Sequence, residues 1–373
     1  MRRTANVLAL VVVAGVALAG CGAAPGEGPE RDPITSPAAP RATPAVPSSS
    51  AAAVESVGEP RAVATGLAAP WSVAFLGTTA LISERDSADV RELLDDGSTR
   101  VVGTIEGVSP EGEGGLLGLA VDDDGRLYAY STGAGGNRVQ RIELTGEPGS
   151  LGLGQAETIL DGIPSASFHD GGRIAFGPDG MLYVTTGDAG DGDAAQDLDS
   201  LAGKILRMTP DGDVPDDNPF DGSLVLSYGH RNPQGIDWAD DGTMFASEFG
   251  QNTWDELNVI TPGGNYGWPV VEGVAGDERY VDPVQQWSPA EASPSGIEII
   301  GGTIFVANLR GAVLRAVPVA QPSESAEYYA GEFGRLRDVT ASPDGDLWFL
   351  TNNTDGRGDP GPDDDRLMAV AVE

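Results

Sequence analysis

The chain has two histidines, and one of them, His169, shares the stretch FHDGGRIAFGPDGMLYVTTGDAG (168 to 190) with Asp188. A neutral imidazole held by a carboxylate is the usual construction of a general base near neutral pH, the carboxylate fixing the tautomer and raising the basicity. The same pair can instead be structural, tying two strands together. No cysteine other than Cys21 is present, so nucleophilic catalysis through a thiol has no candidate beside the histidine.

The spacing of the two residues follows from a hairpin. If Gly177 to Gly180 form a four-residue loop, Phe176 faces Met181, and counting outward sets His169 opposite Asp188, with Cβ atoms about 5 Å apart. Taking Ala239 to Gly242 as the next loop pairs Trp238 with Thr243 and sets Arg231 opposite Gly250. All four residues then lie about seven positions from their turns, at roughly 3.3 Å each, on one rim. Glu113, Arg310 and Arg335 fall near that level in their own repeats, which predicts one shared cup.

Arg231, Arg310, Arg335 and Arg337 stand out in a chain poor in basic residues, and arginines at one level suit a planar ligand carrying carboxylates. Taken singly, each could equally be a salt bridge on an acidic surface. Oxygen ligands for a divalent cation such as Ca²⁺ are abundant. The acidic runs GDAGDGD (187 to 193) and DPGPDDD (359 to 365) read as solvated loops, since neither has EF-hand spacing.

The elements that must position these residues are short alternating strands, and helical periodicity is almost absent. One hairpin recurs: FLGTTALISE at Gly77, DDDGRLYAYS at Gly125, GPDGMLYVTT at Gly180, ADDGTMFASE at Gly242, IGGTIFVANL at Gly302 and SPDGDLWFLT at Gly345. A repeat of roughly 40 to 60 residues is that of four-stranded propeller blades. The prediction is an all-β, six-bladed β-propeller of four-stranded antiparallel blades, with the tail DRLMAVAV (365 to 372) closing the ring against the first blade. A β-sandwich rich in Asp-Gly hairpins is the alternative, and it needs no even repeat.

Residues 1–20 read as an export signal: Arg2 and Arg3, an apolar run too short to span a membrane, then LAG before Cys21. LAGC resembles the lipobox of bacterial lipoproteins, which implies lipidation of Cys21 and an extracytoplasmic protein anchored to the membrane by lipid alone. Residues 21–58 are rich in Ala, Pro and Ser and read as a disordered tether, leaving 59–373 as one large domain. The formal charge of −35 argues against nucleic acid or an anionic lipid surface as partner.

Read together, GHRNPQG (229 to 235), SEFGQNTWDELNVI and GGNYGWP (247 to 269), GGLLGLA (114 to 120), KILRMTPDGDVPDDNPF (204 to 220) and GRLRDV (334 to 339) resemble the soluble pyrroloquinoline-quinone-dependent sugar dehydrogenases, the glucose/sorbosone dehydrogenase family of six-bladed propellers. The resemblance runs in order over nearly the whole domain. It implies an aldose substrate, pyrroloquinoline quinone (PQQ) and Ca²⁺ as cofactors, and an electron acceptor it does not identify. His169 matches the base that takes the proton of the sugar C1 hydroxyl as hydride passes to the quinone, and Asp188 the residue that orients it. Arg231 and Asn232 match residues contacting the quinone, Gly250 and Gln251 a Gly-Pro pair whose carbonyls bind Ca²⁺, and Arg335 and Arg337 the pair that clasps the quinone carboxylates. Three positions depart from the pattern: Glu113 replaces a glutamine, Arg310 a lysine and Gln251 the proline. Glu113 sets a negative charge beside an anionic cofactor.

Two other readings stand beside this one. A non-catalytic propeller could bind sugar or protein through the same rim, although it would have no need of an oriented base. A metal-dependent propeller lactonase would need Asp or Glu side chains converging at the channel mouth. Fold alone does not choose among them.

Overall fold

A computed structural model describes residues 53–373, and the leader, Cys21 and most of the predicted tether lie outside the described residues. The strands form six four-stranded antiparallel sheets. Their first strands, Pro70–Leu76, Leu116–Val121, Ile174–Phe176, Pro233–Trp238, Pro294–Ile300 and Leu336–Ala341, touch one another in sequence order, and the last touches the first. That closed ring is the six-bladed propeller. Each repeated hairpin joins the first and second strands of its blade, with left-handed glycines such as Gly125 (φ 78°) and Gly180 (φ 74°) in the turns, a conformation that favours glycine because a Cβ there clashes with the backbone.

Closure differs from the expectation. The tail strand Leu367–Val370 is the third strand of the last blade, and the fourth is the N-terminal strand Arg61–Ala64. The ring is thus fastened by pairing the two ends of the domain, which leaves no bare edge at the seam. Packing begins before Glu59, since Val57 bridges Val372 and the Val54 N–H donates to Thr303 Oγ1.

Alternation along the strands sends one face of each blade against its neighbour, and six apolar clusters fill the six inter-blade spaces. Tyr128, Tyr130, Val184 and Leu206 pack between the second and third blades, for example, and Ala64, Ile82, Leu350 and Leu367 across the seam. Truncating one such buried leucine to alanine costs about 2–5 kcal/mol.

The centre is filled with polar side chains. Arg173 stacks over Trp71 at 4.3 Å, pairs with Asp338 at 2.9 Å and donates to the Gln234 carbonyl at 2.9 Å. First strands approach closely here at glycines: a Cβ on Gly118 would collide with the Gly172 carbonyl, and one on Gly235 with that of Ser295. The packed centre forms a floor, so the space for chemistry lies at the strand ends away from the repeated turns.

Candidate functional site

The expected hairpin register is wrong by one residue, yet the expected contact forms. Phe176 faces Leu182, not Met181, and Trp238 faces Met244, not Thr243. A one-residue bulge in the first strand then restores the count. Gly172 and Arg173 both bond Thr185, and the ladder between Pro233 and Gly235 shifts in the same way. The first strands of the other four blades carry the same shift. Bulges of this kind bend the strand and re-aim its end.

Past the bulge, His169 Nδ1 lies 2.7 Å from Asp188 Oδ1. Asp188 is buried, and burial alone would raise its carboxyl. The His169 ring, the Gly190 N–H and the Trp268 indole outweigh burial and hold it below the usual carboxylate range. A carboxylate there fixes the proton on Nδ1 and leaves Nε2 as an acceptor, with no hydrogen-bond partner among the described residues. His169 has φ 62°, a left-handed conformation that costs a non-glycine residue about 1 kcal/mol or more. Its N–H is tied to Glu113 Oε2 at 2.9 Å.

Arg231 and Asn232 arrive on the neighbouring blade. Glu248 accepts both of their backbone N–H groups and the Nδ1 of His230, at 2.8 Å from that ring. His230 is fully buried, stacked on Tyr266 and bonded to Ser227, so the second histidine is structural. Asn232 Oδ1 accepts the Gly171 N–H at 3.0 Å, while Arg231 Nη1 donates to the Phe249 and Gly250 carbonyls at 3.1 and 2.6 Å. Burial lowers the Arg231 guanidinium from its usual value, with Asp188 foremost among the charges opposing it. Arg231 Nε and Asn232 Nδ2 are buried without a partner. Unmet buried donors are costly and mark a place where an acceptor is missing. The Gln251 N–H bonds Glu272 Oε1, which also gathers the N–H groups of Asn252, Thr253 and Trp254.

The single predicted cup is two adjoining spaces. His169, Asp188, Arg231 and Gln251 line a cavity of about 980 Å³ together with Phe168 and Trp268, at the upper end of the volumes small-molecule sites occupy. Arg310 and Arg335 line a second, of about 560 Å³, with Arg357. Glu113 stands between them, bonded to His169 on one side and paired with Arg357 at 3.0 Å on the other. Arg310 is exposed; Arg335 is held by Asp355 at 2.9 Å. Arg337 is buried deeper, donating to Gln234 and Asn352. Burial lowers its guanidinium, and Asp355 at 3.9 Å opposes that shift.

Sequence reasoning missed Trp268, Glu248 and Arg357. Trp268 and Glu248 sit in the strings GGNYGWP and SEFGQ, where a buried hydrogen-bonding role leaves no local pattern. Arg357 follows an Asp-Gly pair that reads as a loop.

The fold and site define a propeller that presents an oriented imidazole and unmet donors at one end. The model of the glucose/sorbosone dehydrogenase family matches residues 67–359, and the chain belongs to that family. It is 48% identical to the PQQ-bound aldose sugar dehydrogenase of Streptomyces coelicolor, with a TM-score of 0.82 over 86% of this chain and all of that one. It is 29% identical to the aldose sugar dehydrogenase YliI of Escherichia coli over 77% of this chain and 88% of the relative. Quinoprotein glucose dehydrogenase B of Acinetobacter calcoaceticus is 35% identical, over 46% of this chain and 43% of that protein.

Proposed function

We propose that the protein oxidises the C1 hydroxyl of an aldose to the lactone, with PQQ as the hydride acceptor and His169 as the general base. The observation that carries this reading is the His169–Asp188 contact at 2.7 Å in the same cavity wall as Arg231, whose Nε lacks a partner, with the unpartnered Nδ2 of the buried Asn232 next to it in the chain. Those two donors fit an acceptor oxygen of a quinone, and Arg310, Arg335 and Arg357 fit its carboxylates. When bound, the quinone supplies the electron-pair sink that takes the hydride from the sugar carbon. His169 Nε2 takes the hydroxyl proton as that C–H bond breaks, so the C1–O bond becomes a carbonyl and hydride and proton leave separately. Asp188 stabilises the imidazolium that results.

Gly250 and Gln251 are the proposed Ca²⁺ ligands. For Gly250 the donor chemistry fits, since its carbonyl and that of Phe249 already converge on one cationic group, Arg231 Nη1, and Gln251 lines the same cavity. Hard carbonyl oxygens suit that ion, and Arg231 would yield the Gly250 oxygen to it. The lactonase alternative finds no support: among the described residues no three His, Cys, Asp or Glu side chains converge to hold a metal.

The chain is further proposed to be exported, lipidated at Cys21 and anchored on the extracytoplasmic face, passing electrons to a separate acceptor. Labelling with a radioactive fatty acid that persists in Cys21→Ser would overturn the anchor. The reaction is tested with purified protein, Ca²⁺ and PQQ, an aldose panel and an artificial dye acceptor. Quinone-dependent dye bleaching supports it, and quinone binding without bleaching by any aldose overturns the substrate.

A further inference from the structure

Phe168 and His169 are neighbours in sequence, and both line the larger cavity. An extended strand would send them to opposite faces. The left-handed backbone at His169, φ 62°, breaks that alternation and brings both side chains to one space. Phe168 stands edge-on to the imidazole, with ring centroids 4.6 Å apart at 79°. It is 43% exposed, and no other aromatic ring among the described residues is open to that degree. A core residue would be covered, and a surface accident would not sit against the base inside a cavity.

The run GDAGDGD, which the chemistry at His169 uses only through Asp188, supplies the complement. Asp191 and Asp193 line the same cavity, and among the described residues neither carboxylate accepts a hydrogen bond. An aromatic plane beside free acceptors matches a pyranose, whose ring presents an apolar C–H face and an edge of hydroxyl donors.

We propose that Phe168, with Asp191 and Asp193, is the sugar-recognition platform of this protein. The phenyl ring packs on the C–H face of the sugar, and the two carboxylates accept its hydroxyls. The C1 hydroxyl then stands over His169 Nε2. The proposal rests on the dehydrogenase reading for the fate of the sugar, and its first test does not.

The full chain without quinone is titrated with D-glucose and with D-xylose by calorimetry, for wild type, Phe168→Ala and Phe168→Trp. The quinone-loaded proteins are then assayed for kcat and KM across pH. Phe168→Ala is expected to weaken sugar binding and raise KM by about tenfold, with kcat, the pH profile and quinone affinity nearly unchanged. Phe168→Trp restores the binding, and Asp193→Asn weakens it selectively for one of the two sugars. Sugar affinity indifferent to Phe168→Ala overturns the proposal, as does a wild type that binds neither aldose. A fall in kcat with a displaced pH profile and an unchanged KM also overturns it, because the ring would then only position His169. A wild type that binds sugar through Phe168 but passes no electrons to the quinone upholds the platform and overturns the dehydrogenase.

Discussion

The Trp268 indole Nε1 donates to Asp188 Oδ2 at 2.7 Å, so the carboxylate that orients His169 is itself held from a neighbouring blade. Trp268→Phe removes a hydrogen bond to a charged group, worth about 1.5–3 kcal/mol, and should lower kcat by roughly tenfold or more. The acid limb of the pH profile should move to higher pH, because the carboxylate loses a donor that holds it below its usual range. His169→Ala is the reference: turnover falls by roughly two to four orders of magnitude, with quinone affinity retained. Steady-state rates across pH compare the two, and an unchanged rate in His169→Ala ends the base assignment.

Glu113 is neutralised by Arg357 at 3.0 Å and caps the His169 N–H. Glu113→Gln keeps an acceptor for that N–H while freeing Arg357 for an anionic ligand. Quinone affinity should rise by roughly two- to fivefold, the scale of one half-exposed charge pair. The gain should shrink in high salt. Fluorescence titration at two ionic strengths measures it, and weaker binding would mean that Glu113 itself contacts the cofactor.

Asp170, next to His169, is buried and pushed up to about 6, chiefly by burial. A folded value above the unfolded 3.8 means its favourable contribution is complete below pH 3.8 and lost as pH rises to about 6. Asn137 and the Ala166 N–H both donate to Oδ1, and Oδ2 has no partner. Asp170→Asn mimics the protonated form, so its Tm should exceed that of wild type by roughly 2–4 °C at pH 8, with the difference gone near pH 4. Paired thermal melts at the two pH values decide it.

Lys204 is fully buried, and its ammonium donates to the carbonyls of Ala194, Ala195 and Ala202 at 2.9, 3.1 and 2.5 Å. It thereby pins the turn Gly192–Gln196, next to Asp191 on the cavity rim. Lys204→Met removes three charge-assisted hydrogen bonds and leaves the Ala202 carbonyl without a donor, while Ala194 and Ala195 keep the N–H groups of Asp197 and Gly229, and it should destabilise by about 1–3 kcal/mol. Denaturant unfolding checks the size, and a change under 1 kcal/mol, about fivefold in the folding constant, would remove the turn-pinning role.

By itself the sequence determined the six hairpins, the blade count and the partnership of His169 with Asp188 and of Arg231 with Gly250. Turn chemistry and alternation are local, and local patterns survive in one dimension. The bulge in every first strand was not legible there. It compensates a turn one residue longer than counted, and its position is set by how neighbouring blades pack at the centre. Only the tertiary structure divided the predicted cup at Glu113 and paired Glu113 with Arg357, residues 244 apart in the chain. It also set Trp268 behind Asp188 and turned Phe168 onto the same wall as His169. Those contacts join distant loops whose course depends on ring closure, and no short-range signal encodes a side chain's partner on another blade.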